Sequence, residues 1–162
     1  MNNRMRNSSR DREAGFTLVE LLVVISIMGI LFTFGAFALM QYLRAQALTG
    51  SASQVVTDMR DAQVRAQSEV RTYRITFDTS NNTYTISRLV SSDPDTYENL
   101  ETNKGLDRGV ALTLADFNDD GSVAFFYPRG TSSAGTVILE SMQLDQDREI
   151  TLTALTAKAE VN

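Results

Sequence analysis

Chemistry in this chain would fall to carboxylates, hydroxyls and amines, because its 162 residues include no histidine and no cysteine. That composition excludes Ser-His-Asp and Cys-His catalysis, histidine or thiolate metal ligands, and disulfides. Three acidic groupings remain. Asp116-Phe-Asn118-Asp119-Asp120-Gly121 follows the first half of an EF-hand-type loop, D-x-N-x-D-G, which makes Asp116, Asn118 and Asp120 a calcium candidate. The twelfth position is Tyr127 rather than a bidentate glutamate, and the same residues suit a polar hairpin turn. Asp145, Asp147 and Glu149 have no pocket signature beside them and read as a solvated turn or strand edge. Neither group suggests catalysis, and no cofactor is expected. The third acid is Glu20, which stands at the head of a long apolar run.

That run, Leu21 to Met40, is 20 residues without a charge. About 20 apolar residues cross roughly 30 Å of hydrocarbon as a helix. A carboxylate inside such a segment costs a few kcal/mol toward the bilayer centre and usually has a partner. No basic residue within the run supplies one. Residues 1–15 hold Arg4, Arg6, Arg10 and Arg12 against Asp11 and Glu13. Basic residues before a span stay cytoplasmic, so the N-terminus is expected inside and the chain beyond about Arg44 outside. Two other readings of the run are a buried core helix and a signal peptide cut at Ala36-Phe37-Ala38. The whole chain carries net charge −5, which argues against nucleic-acid binding.

Ala14-Gly15-Phe16-Thr17-Leu18-Val19-Glu20-Leu21-Leu22-Val23 closely resembles the class III signal of type IV pilins and pseudopilins. The resemblance implies cleavage by prepilin peptidase between Gly15 and Phe16, and N-methylation of the new Phe16 amine. It implies a role for Glu20 as well. The Phe16 amine of one subunit would meet the Glu20 carboxylate of a neighbour as their helices stack, neutralising two charges that hydrocarbon disfavours. Expected partners are prepilin peptidase, other pilins or pseudopilins and the inner-membrane assembly platform.

The rest of the chain holds the elements that position this motif. Leu48, Ala52, Val55, Met59, Ala62, Ala66 and Val70 recur at steps of three and four, which is helical periodicity. One helix is therefore expected from Phe16 to about Val70, apolar in its first half and laid on a sheet by its second. Gly29 and Gly35 in the apolar half favour close helix packing over local melting. Beyond Val70 the period becomes two. Tyr73, Ile75 and Phe77, a turn at 79–83, then Tyr84 and Ile86 predict a β-hairpin. Residues 91–108 read as a long polar loop. Further strands are expected at 109–115, 123–127, 136–140 and 149–155. The class is α+β: a long N-terminal helix packed on an antiparallel β-sheet, type IV pilin-like. The expected organisation is a leader at 1–15, a transmembrane part of the helix at 16–43, an amphipathic part at 44–70 and a β-rich globular domain at 71–162. With 43% hydrophobic residues the chain can pack such a core.

The second half narrows the resemblance. Asp120-Gly-Ser-Val-Ala-Phe-Phe126-Tyr-Pro128-Arg-Gly130, followed by the Gly135-led strand Gly135-Thr-Val-Ile-Leu-Glu140, is similar to the C-terminal domain of the GspH/FimT group. A Pro and a Gly so placed force a tight reversal. Some FimT-like members bind DNA through a basic tail, but here the last ten residues carry only Lys158 as a base. What the resemblance implies is a minor pilin or pseudopilin, a structural subunit of a type II secretion pseudopilus or type IV pilus and not an enzyme. It would be anchored in the bacterial inner membrane and then assembled near the filament tip. The alternatives are an exported sheet-domain binding module for calcium, DNA or a secreted substrate, and a periplasmic protein released by a signal peptidase.

Overall fold

The computed structural model describes residues 16–92, 95–154 and 158–161. Helix α1 spans Leu18–Glu69. The chain divides into two compact units, residues 1–39 and 40–162.

In the first unit every described residue of α1 is exposed, and nearly all are apolar. A helix that is hydrophobic all round suits a nonpolar medium or the interior of a helix bundle. Its two hydroxyls are spent internally. The Ser26 hydroxyl donates to the Leu22 carbonyl at 2.7 Å, and the Thr33 hydroxyl to the Gly29 carbonyl at 2.9 Å. Such back-bonding satisfies both hydroxyl donors within the helix.

Among the described residues, the second unit folds the remainder of α1 with eight strands. They are β1 (Tyr73–Asp78), β2 (Thr83–Ser92), β3 (Asp95–Gly105), β4 (Val110–Phe117), β5 (Val123–Phe126), β6 (Gly135–Ser141), β7 (Asp147–Thr153) and β8 (Lys158–Val161). They form two antiparallel four-stranded sheets, ordered β3-β2-β1-β5 and β4-β6-β7-β8. The expected helix stripe is the buried one. Leu48, Ala52, Val55, Met59, Ala62 and Ala66 share one core with Tyr73, Ile75 and Phe77 of β1 and with Val137, Leu139, Ile150 and Leu152 of the second sheet. Alanines at three of those six helix positions allow the helix backbone to lie close to its neighbours.

Several expectations need correction. Two sheets replace the single one expected. Residues 91–108 are mostly not loop: β2 continues to Ser92, and β3 returns as an 11-residue edge strand. Its side chains are exposed or half-buried, so no apolar alternation marks it; the backbone ladder to β2 holds it. Strand β8 was not anticipated, because four residues with only Ala159 buried carry too little pattern. Val70 does not continue the buried stripe. It follows the helix at φ +53°, is 73% exposed, and lets the Arg71 N–H donate to the Ala66 carbonyl at 3.1 Å. That is a helix-closing bend, a place where glycine is usual and a β-branched residue is strained.

The Phe126–Gly130 segment makes the reversal its Pro and Gly imply. The Gly130 N–H donates to the Tyr127 carbonyl at 3.0 Å, and Gly130 takes φ +85°. The glycine leading β6 has a different cause. Gly135 pairs with Phe117, and a Cβ there would collide with the Phe117 ring and the Asp116 carbonyl. Gly135→Ala should therefore cost about 2 kcal/mol through overpacking. Thermal unfolding of the full chain in detergent micelles checks this, and unchanged stability would contradict the close approach.

Candidate assembly site at the helix N-terminus

Gly15 lies outside the described residues, so the structure begins on the Phe16 side of the expected cleavage bond. Phe16 is non-helical and 80% exposed. Thr17 then starts the helix. Its hydroxyl accepts the Glu20 N–H at 3.2 Å, and its carbonyl accepts the Leu21 N–H at 3.2 Å. This is an N-cap, and Thr17-Leu-Val-Glu20 has the spacing of a capping box. The sequence reading missed it, although the T-x-x-E spacing was there to be seen. Glu20 thus occupies the third helical position, in the first turn, where the helix dipole favours negative charge. The structure places Phe16 and Glu20 at one exposed helix end. Among the described residues no cation is paired with Glu20.

The other candidates are placed differently. Asp116 stands on β4 and Asn118 and Asp120 in the turn after it, all exposed. The turn is closed by backbone: the Phe117 N–H donates to the Gly121 carbonyl at 2.6 Å, and the Asn118 N–H to Ala134 at 3.0 Å. Among the described residues no three acidic side chains converge on a metal-sized site. Asp145, Asp147 and Glu149 are exposed around the β6–β7 turn and the start of β7.

A polar cluster that the sequence did not reveal ties the second half of α1 to β2 and β3. The Tyr84 hydroxyl donates to Asp58, and the Gln54 amide donates to Tyr84 at 3.1 Å. The Lys104 ammonium reaches Asp58 at 2.8 Å and Glu101 at 3.0 Å. Burial, and then the Asp58 carboxylate, push the Tyr84 phenol far above its ordinary range. For Lys104 burial works downward, but hydrogen bonds to Asp58 and Glu101 outweigh it and hold the ammonium above its usual range. Nearby, Arg88 on β2 bridges Glu69 at 3.0 Å and Glu98 at 2.7 Å.

Residues 10–36 match the prokaryotic N-terminal methylation motif. No curated protein matches the sequence. The fold is similar to that of the minor pseudopilin EpsH from the type 2 secretion system of Vibrio cholerae. The TM-score is 0.58 at 13% identity, over 71% of this chain and 95% of that one. A second EpsH structure gives 0.57 at 13% identity, over 72% and 96%. The type IV minor pilin FimU of Pseudomonas aeruginosa gives 0.56 at 14% identity, over 75% and 92%. The chain joins a prepilin-type N-terminal motif to a type IV pilin-like fold. The α+β class expected from the residues, one long N-terminal helix and antiparallel sheet, is the class observed.

The Tyr84–Asp58–Lys104 cluster carries a pH prediction. Both Tyr84 and Lys104 hold their protons more tightly folded than unfolded. Their contribution is therefore full below pH about 10 and fades as pH rises past the unfolded values. Denaturant titrations should show stability falling between pH 10 and pH 12, and Asp58→Asn should flatten that fall while costing about 3 kcal/mol at pH 7. An equally steep alkaline fall in Asp58→Asn would contradict the assignment.

Proposed function

We propose that this chain is a minor pilin or pseudopilin: a structural subunit, not an enzyme, of a type II secretion pseudopilus or type IV pilus. The observation that carries the reading is the junction at Phe16. A methylation motif runs directly into a capped helix whose first unit is apolar and exposed on every side, and the β-rich unit follows.

In this reading prepilin peptidase cuts between Gly15 and Phe16 and the Phe16 amine is methylated. Residues 16–43 cross the inner membrane with the N-terminus cytoplasmic, which the arginines before the helix support. Among the described residues α1 is the one helix long and apolar enough for a span. The amphipathic part, 44–70, fixes the domain at 71–162 outside the membrane. Assembly then draws the subunit into a bundle of similar helices near the filament tip.

The new amine bears on Glu20. A cation at Phe16 would sit at the positive end of the helix dipole, beside N–H groups that already carry partial positive charge. An anion relieves that, and Glu20 of an adjoining subunit supplies one as the two helices stack. Neither charge then remains alone in an apolar bundle.

Intact-mass measurement of the membrane-extracted protein tests the processing step. The mature chain should begin at methylated Phe16, and replacement of Gly15 by a bulky residue should leave the full-length chain uncut. A mature chain beginning at Leu39 would overturn the reading in favour of a signal peptide.

A further inference from the structure

The outer face of the β3-β2-β1-β5 sheet holds an arginine with its charge unspent. Arg74 on β1 stands opposite Ser87 of β2 and Phe125 of β5. Its guanidinium carbon lies 3.8 Å from the centre of the Tyr97 ring, contributed by β3. Phe125 and Tyr127 stack on each other nearby, with centroids 6.4 Å apart and rings inclined by 15°. All four side chains are half-buried.

Several other arginines of the helix and sheet are spent. Arg65 pairs with Asp61, Arg88 with Glu69 and Glu98, and Arg60 and Arg71 donate to the carbonyls of Ala159 and Leu89. For Arg74, no carboxylate among the described residues lies within ion-pair distance, and its Nε is buried with no hydrogen-bond partner. The neighbouring Ser87 hydroxyl is already committed to Asn99 at 2.8 Å. A guanidinium seated over a ring has lost much of its rotamer entropy before any ligand arrives. Arginine and tyrosine so placed have the composition of a binding hot spot.

We propose that Arg74, with Tyr97, Phe125 and Tyr127, is a docking site for a single carboxylate in an otherwise apolar peptide segment of another protein, the apolar neighbours lying on the rings. The guanidinium selects a carboxylate, and the acids beside it limit the occupant to one. The site presents one free cation, and Asp95 and Asp119 lie near enough to Tyr97 and Tyr127 to act on them electrostatically. A single carboxylate matches the fork, whereas a run of phosphates meets those acids. The choice of a protein partner rests on the filament reading above; the geometry of the site does not.

The test uses the full chain in detergent micelles and follows the nitrogen–proton signal of the Arg74 Nε by NMR. The probe is a blocked tripeptide with aspartate between two phenylalanines; its control carries asparagine instead. The aspartate peptide should shift the signal saturably and the control should bind at least tenfold more weakly. By fluorescence anisotropy of the labelled peptide, Arg74→Gln should abolish binding and Arg74→Lys should weaken it about tenfold, since the charge remains but the fork is lost. Equal binding of the two peptides would overturn the proposal, and that comparison needs only the wild-type chain. A short oligothymidylate that saturates at lower concentration than the peptide would also overturn it, in favour of nucleic acid. Peptide binding by a chain never cut at Gly15 would sink the filament reading and leave this site standing. A correctly cut chain that ignores the peptide would do the reverse.

Discussion

The first unit of α1 is apolar and, among the described residues, exposed along its whole length. From Leu18 to Leu39 its apolar side chains are exposed, and at about 25 cal/mol per Å² such a surface is costly to leave in water. Its backbone is satisfied within the helix and its hydroxyls bond one turn back, so the surface asks for apolar cover and no polar partners. Lipid provides that cover, and so does a bundle of similar helices. A subunit that passes from one to the other keeps the same surface buried throughout, which is the physical economy of such an anchor.

The same helix changes chemistry where it meets the sheets. Alanines and Ser51 line its buried face, and Asp58, Asp61, Arg65 and Glu69 form ion pairs. Asp58 is the chief of these. With 15% of its side chain exposed, it would be expensive alone and is held by both Lys104 and Tyr84. Arg88 does similar service at the far end, joining Glu69 of the helix to Glu98 of the edge strand. Ion pairs to one helix from both β2 and β3 fix where the first sheet sits along it.

Legibility followed how strongly burial writes itself into residue type. The helix stripe from Leu48 to Ala66 and the alternation Tyr73, Ile75, Phe77 were readable because each position is buried on one face. The N-terminal motif was readable because Gly15, Phe16 and Glu20 stand in register with a basic leader and an apolar run. Strands β3 and β8 left no such mark, since an edge strand held by its ladder can be polar throughout. The partners of Asp58 lie 26 and 46 residues away, and no local pattern announces a pairing over that distance. Val70 misled because periodicity cannot tell the last buried residue from the first one past the bend.

Glu20 decides whether this helix end serves assembly or only folding. Thr17 already caps the helix, and either glutamate or glutamine at the third position suits a capping box. Glu20→Gln therefore keeps the cap and removes the charge. The direct measurement is the subunit content of sheared filaments, wild type against Glu20→Gln, at matched membrane levels and matched cleavage. Loss of one side of a buried pair costs about 3 kcal/mol, so incorporation should fall at least tenfold. Equal incorporation would contradict the charge pairing and leave Glu20 a helix cap and nothing more.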